Sequence, residues 1–167
     1  KLLADAKNKK ISELNACVLK RPRHNYIIKK FNEMNVKINF ITDGDIAGAL
    51  SVIGDEPKND IYYSTGGAPE GVVVAAALSC YGAQIQGRLV LDEEEKVRAK
   101  KLGITNFNKK YNIEDMVKGD VIFCATGVTS GDLAKGVKDI GNEYEVNSFI
   151  LHKSQNIIKS ITSIYNK

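Results

Sequence analysis

A chain of 167 residues suits one domain, or one portion of a larger enzyme, and is long enough to bury a sizeable core. With 43% hydrophobic and 26% charged residues, the composition is that of a globular protein rather than a disordered one. The net charge of +4 comes from 24 basic and 20 acidic residues, too mixed to argue for a nucleic-acid partner.

The elements alternate from the start. Ile11, Leu14 and Val18 suggest a helix or loop approaching Pro22. Tyr26, Ile27, Phe31 and Met34 fall near helical spacing, and Val36 to Ile41 alternates as a strand does. "TDGD" breaks that strand and "IAGALSVI" reads as a helix. Asn59 to Ser64 is a short strand. Pro69 to Ala83 is a helix with almost no polar face, expected to be buried. Asp92 to Lys101 is a charged surface helix, and Ile113 to Val117 a short one. "DVIFCATGV" reads as a buried strand, with a helix expected after Ser130. Two late strands form a hairpin around Ser154-Gln155. The order predicts an α/β fold, layered, with a mixed sheet.

No apolar run approaches a membrane span, so no membrane is expected as a partner. Cys17, Cys80 and Cys124 lack metal-ligand spacing. Cys80 and Cys124 read as small core residues, and a reducing, cytoplasmic setting fits.

Three loops carry residue types suited to chemistry. In "KRPRH", Arg21 and Arg23 flank Pro22, which stiffens the backbone between them. Guanidinium forks match phosphate or carboxylate oxygens, though a solvated basic loop has the same sequence. Asp43-Gly44-Asp45 ends a predicted strand, where ligands gather in α/β sheets. Two carboxylates there suit sugar hydroxyls or a metal, and one of them suits a plain helix cap. Gly66 and Gly67 permit unusual backbone angles and close approach of a ligand. Pro69 suits a first helical turn and Glu70 falls in the same turn. There the helix dipole alone favours a glutamate, and a Mg²⁺ or Mn²⁺ ion shared with a substrate phosphate favours it equally. The stretch from Ala125 to Asp132 reads as structural, and neither His24 nor His152 shows a catalytic partner in the sequence.

Together "KRPRH", "DGDIAGAL", "GGAPEGVVVAAALSCYGAQIQGRL" and "FCATGVTSGDLAKGV" resemble the class II fructose-1,6-bisphosphatases, the bacterial type. The resemblance implies the layered αβα fold of the lithium-sensitive sugar and inositol phosphatases. It also implies hydrolysis of the 1-phosphate of fructose 1,6-bisphosphate to fructose 6-phosphate, in gluconeogenesis, assisted by Mn²⁺ or Mg²⁺. By motif, Glu70 is implied as a metal ligand, and Arg21, Pro22, Arg23, Asp43, Gly44, Asp45 and Gly67 as substrate-binding residues. Only the C-terminal portion of the family is matched, and the carboxylate-rich N-terminal catalytic portion has no counterpart in residues 1–167. The segment is therefore expected to hold substrate and one arm of the metal site, with no catalytic residue of its own, and to be inactive alone. The full-length enzyme is expected to be a homo-oligomer. The alternatives are a non-catalytic sugar-phosphate-binding module, and a bisphosphatase that also accepts sedoheptulose 1,7-bisphosphate.

Overall fold

The computed structural model describes residues 1–54 and 56–167. A short helix α1 (Leu2–Ala6) precedes strand β1 (Asn15–Leu19), helix α2 (Asn25–Glu33), strand β2 (Lys37–Ile41), helix α3 (Asp45–Leu50) and strand β3 (Ile61–Tyr63). These form a three-stranded parallel sheet in the order β2-β1-β3, with Val18 level with Phe40 and Tyr63. The helix or loop expected around Val18 is thus a strand. Ala16, Cys17, Val18 and Leu19 are all buried, an unbroken apolar run that suits a central parallel strand covered on both faces.

Alternation of side chains along the strands divides the two faces. Ala16, Val18, Ile38 and Ile61 face α1 and α2, where Phe31, Ile27 and Ile28 complete one core cluster. On the opposite face α3 lies close at Gly48, where an added Cβ would come within 2.6 Å of both Ile41 and Tyr62 side-chain carbons. The two crossover helices therefore cover opposite faces of one sheet.

The second half begins with helix α4 (Ala68–Ser79), then α5 (Glu93–Lys101) and α6 (Ile113–Met116). Helix α5 is the expected surface helix, closed at its start by a reciprocal pair of hydrogen bonds between Asp92 and Glu95. Helix α4 is sandwiched over its C-terminal turns: Ala75 packs with Ala49 and Ile113 on one side, and Ala77 with Phe123 and Leu151 on the other. Its N-terminal turns project beyond this sandwich, so Val72 and Val73 remain 42% and 40% exposed, against the expectation of complete burial.

Strands β4 (Ile122–Thr126), β5 (Lys138–Asp139), β6 (Glu143–His152) and β7 (Ile157–Asn166) form a second, antiparallel sheet. The expected hairpin is present, with β6 and β7 paired over ten residues from Glu143↔Asn166 to His152↔Ile157. Parallel and antiparallel pairing, expected within one mixed sheet, is divided between two sheets. Strand β4 buries only alternate residues, so Cys124 is exposed rather than a core residue. No helix follows Ser130. Its hydroxyl instead accepts from Gly136 N–H at 3.0 Å and folds the segment into a loop. Among the described residues no helix is long and apolar enough to cross a membrane.

Asp60, at the start of β3, fastens the N-terminal segment to the parallel sheet. Its carboxylate meets Lys9 Nζ at 2.8 Å, Lys7 Nζ at 3.1 Å and Asn15 N–H at 2.8 Å. Burial pushes its carboxyl up, but Lys9, the Asn15 N–H and Lys7 outweigh burial and bring it down to about 2. A depressed carboxyl contributes stability that is present above the ordinary carboxylate range near pH ~4 and is lost as the pH falls through about 2. The contribution is about 2 kcal/mol, an upper figure because both lysines are partly solvated. Urea midpoints measured from neutral pH into acid are expected to fall more steeply for the native chain than for Asp60→Asn below pH ~4. Parallel curves would remove Asp60 from the acid response.

Candidate functional site

Strand order locates the site. The loop leaving β1 runs to α2 on one face, and the loop leaving neighbouring β3 runs to α4 on the other side. Adjacent parallel strands whose loops part in this way leave a crevice at their carboxyl ends, the usual ligand position in open α/β sheets. Here those loops are Lys20–His24 and Ser64–Gly67, and they meet at Thr65.

Thr65, just after β3, is the hub. Arg23 Nε donates to its carbonyl at 2.6 Å, and its N–H donates to His24 Nε2 at 2.9 Å. His24 itself is 1% exposed, and its Nδ1 lies 2.5 Å from the Leu19 carbonyl. Pro22 opens a 3-10 turn, Pro22–His24, that directs Arg23 and His24 to the same strand end. Arg21 contacts its own loop, donating from Nη1 to Lys20 O at 3.0 Å, and is partly exposed.

Asp45 approaches the same strand end from α3. Its Oδ1 accepts from Ser64 Oγ at 2.7 Å and from the Tyr62 hydroxyl. Burial and the neighbouring Asp45 carboxylate push the Tyr62 hydroxyl well above its ordinary range, so Tyr62 stays protonated and acts as a donor. With Oδ1 occupied, Oδ2 remains on the side of Gly66, 3.6 Å from where a Cβ on that glycine would lie.

Neither aspartate caps α3. The N-cap is Gly44, at φ +86°, a left-handed position that glycine occupies without strain. Asp43 Oδ1 accepts from Gly44 N–H at 2.9 Å. Asp43 and Gly44 line a separate cavity of about 410 Å³ with Cys17, Asn39, Ser51 and Asn59. Among the described residues no hydrogen bond joins Asp43 to the arginine loop, whereas Asp45 reaches that loop through Ser64 and Thr65.

Gly67 is the N-cap of α4, with Pro69 and Glu70 in the first turn. Its φ of −67° is open to any residue, so backbone angle does not explain the glycine. A Cβ there would overlap Glu70 Oε2, the movable end of an exposed side chain. The Glu70 carboxylate is folded back over the loop that carries Thr65, and the residue is exposed.

His24, Tyr62, Ser64 and Thr65 were not among the residues that the sequence singled out. With β1 read as a helix or loop, nothing placed His24 at a strand end. A second constellation, Asp120–His152–Ser154, also brings an acid, an imidazole and a hydroxyl together. Here Asp120 Oδ2 and Ser154 Oγ both contact His152 Nε2, at 2.8 and 3.2 Å, while Ser154 also donates to Asp120 at 2.7 Å. A nucleophile relay needs the acid and the hydroxyl on opposite ring nitrogens. This cluster instead fastens the β6–β7 turn to the start of β4, and those hydrogen bonds, from Ser154 first and then His152, hold the Asp120 carboxyl low.

The family pattern described as "Bacterial fructose-1,6-bisphosphatase, glpX-encoded" matches residues 1–165. The chain belongs to this family. It is 34% identical to the fructose-1,6-bisphosphatase class 2 of Haemophilus influenzae, over 98% of this chain and 53% of that protein. It is 33% identical to a D-fructose 1,6-bisphosphatase class 2/sedoheptulose 1,7-bisphosphatase of Synechococcus, over 100% of this chain and 52% of that protein. The chain thus spans about half the length of the curated relatives it matches.

Among the described residues no group of three or more His, Cys, Asp or Glu side chains is placed to hold a metal ion. Glu70 has the hard oxygen donors that Mg²⁺ or Mn²⁺ takes, but such ions need several oxygens at fixed positions. Glu70 supplies a single carboxylate, and the described residues do not build a metal site around it.

Proposed function

We propose that this chain is the C-terminal, substrate-gripping portion of a class 2 fructose-1,6-bisphosphatase, one that converts fructose 1,6-bisphosphate to fructose 6-phosphate and phosphate. The observation that carries the reading is the meeting of the Arg21–Arg23 loop, Asp45 and the Glu70 helix start around Ser64–Gly67. Family membership and the names of the relatives support it. On this reading the enzyme works in gluconeogenesis in the cytoplasm as a homo-oligomer. Its layering is that of the lithium-sensitive phosphatases, and a sugar bisphosphate is its partner.

The geometry supports the following division of labour. Arg23 is held through Nε, which leaves its two terminal nitrogens for phosphate oxygens. Arg21, immediately before that turn, adds a second guanidinium. Asp45 Oδ2 accepts from sugar hydroxyls while Tyr62 and Ser64 fix the carboxylate through Oδ1. Asp43 and Gly44 shape the turn that delivers Asp45, and Gly67 leaves room for Glu70. Glu70 is one ligand of Mn²⁺ or Mg²⁺, which supplies charge neutralisation at the reacting phosphate when bound.

Two further readings each have an observation in their favour. The lack of a metal-holding group of side chains among the described residues suits a sugar-phosphate-binding module. The Synechococcus relative's name suits a second substrate, sedoheptulose 1,7-bisphosphate. Steady-state kinetics of the full-length protein carrying this segment, with each bisphosphate, test all three. Arg23→Ala is expected to raise KM about tenfold or more while kcat changes little, because a grip on a phosphate that does not react is equal in ground and transition states. An unchanged KM returns the loop to a solvated basic turn, and absence of turnover with either substrate leaves the binding module.

A further inference from the structure

We infer that His24 is a positioning residue, which locks the arginine loop to the glycine loop through one defined tautomer. Both neighbours of the ring are backbone groups with a single role. The Leu19 carbonyl only accepts, so Nδ1, 2.5 Å away, carries the proton. The Thr65 N–H only donates, so Nε2, 2.9 Å away, is the bare nitrogen. The ring is thus neutral, with its proton on Nδ1, and a second proton on Nε2 would face another donor. It is 1% exposed and stands edge-on to Tyr63, with centroids 6.0 Å apart and planes at 81°.

The consequence lies in what the ring joins. Thr65 has its N–H taken by His24 and its carbonyl taken by Arg23, so consecutive residues of one loop hold both backbone groups of one residue in the other. Leu19 is the last residue of the central strand, and Gly67 and Glu70 follow Thr65 by two and five residues. The imidazole therefore fixes the distance from the guanidinium of Arg23 to the start of α4. Its ligand chemistry is that of the site it supports, the phosphate oxygens of a sugar phosphate, and this part rests on the function proposed above. A buried histidine serving stability alone needs no link to Arg23, and that difference can be measured.

The test uses the chain itself, with fructose 1,6-bisphosphate as probe, at a temperature where circular dichroism shows every variant folded. His24→Phe keeps a ring and loses both hydrogen bonds. If that variant fails to fold, His24→Asn replaces it, retaining a donor for Leu19 without reaching Thr65. Nitrogen-15 spectra are expected to show the proton on Nδ1, and Thr65 amide exchange is expected to be slow in the native chain and fast in the variant. By calorimetry, His24→Phe and Arg23→Ala are each expected to weaken binding about tenfold, and the double variant no more than either alone, since the two act through one contact. A proton on Nε2, an unchanged Thr65 exchange rate, or losses that multiply to about a hundredfold each overturn the coupling. Absence of any binding by the native chain counts against the proposed function instead, and the tautomer and the Thr65 exchange rate then decide the coupling without it.

Discussion

Replacing Glu70 by glutamine is expected to lower turnover of the full-length enzyme by about a hundredfold or more, a loss of about 2.7 kcal/mol in transition-state stabilisation. The amide has the size of the carboxylate and lacks the charge that a hard cation requires. The fold is expected to survive. Glu70 is exposed in the first turn of α4, and its favourable position at the helix start contributes only about 0.3–1 kcal/mol. Gly67→Ala offers an independent approach, because the new methyl group would displace the same carboxylate without altering it. The flexible end of a glutamate can give way, so that variant is expected to keep its melting temperature and to need more Mn²⁺ for the same rate. Native activity of Glu70→Gln at limiting Mn²⁺ removes this residue from the metal site.

Leu151→Ala is expected to cause the largest loss of stability, about 2–5 kcal/mol. Leu151 is fully buried on β6 and packs with Phe123 of β4 and Ala77 of α4, the cluster that joins the antiparallel sheet to the helical layer. Neighbouring Ala77 is already small, and the two strands are held by regular pairing at Phe123↔Leu151, so the cavity has little freedom to collapse. Chemical denaturation of the two chains measures the difference. A loss below ~1 kcal/mol shows that this contact is not a principal join between the layers.

Much of the architecture was legible as pattern. The alternation of Val36 to Ile41, the charged run of α5 and the two late strand-like runs gave elements close to those observed, because each is marked by its own local residue pattern. The central strand was not legible. "NACVL" is too short and too uniformly apolar to show a period, and burial on both faces, the reason for that uniformity, is a property of the assembled sheet. The apolar residues of α4 predicted a helix buried all round, whereas its first turns lie outside the sandwich. Nor could local pattern show that the strands belong to two sheets, since pairing partners are far apart in sequence.

The site was legible as motifs and not as geometry. Arg21, Arg23, Asp43, Asp45 and Glu70 could be chosen by residue type next to turns. That Asp45 is tied to Ser64 and Tyr62 while Asp43 lines another cavity depends on long-range packing. Gly67 was chosen for backbone freedom and for close approach of a ligand; its backbone angle is ordinary, and what lies against it is the carboxylate of Glu70. His24 looked solitary because its partners are backbone groups, which no side-chain motif records.

The account turns on whether the loops after β1 and β3 grip a sugar bisphosphate, and titrating the chain with fructose 1,6-bisphosphate while following its backbone amides by NMR tests this most directly. Shifts are predicted at residues 21–24, 43–45 and 64–70, saturating together, with phosphate release in Mn²⁺ at least about a hundredfold slower than that of the full-length enzyme, because Glu70 alone cannot hold the ion. Shifts confined to another surface, or phosphate release within about tenfold of the full-length rate, would contradict it.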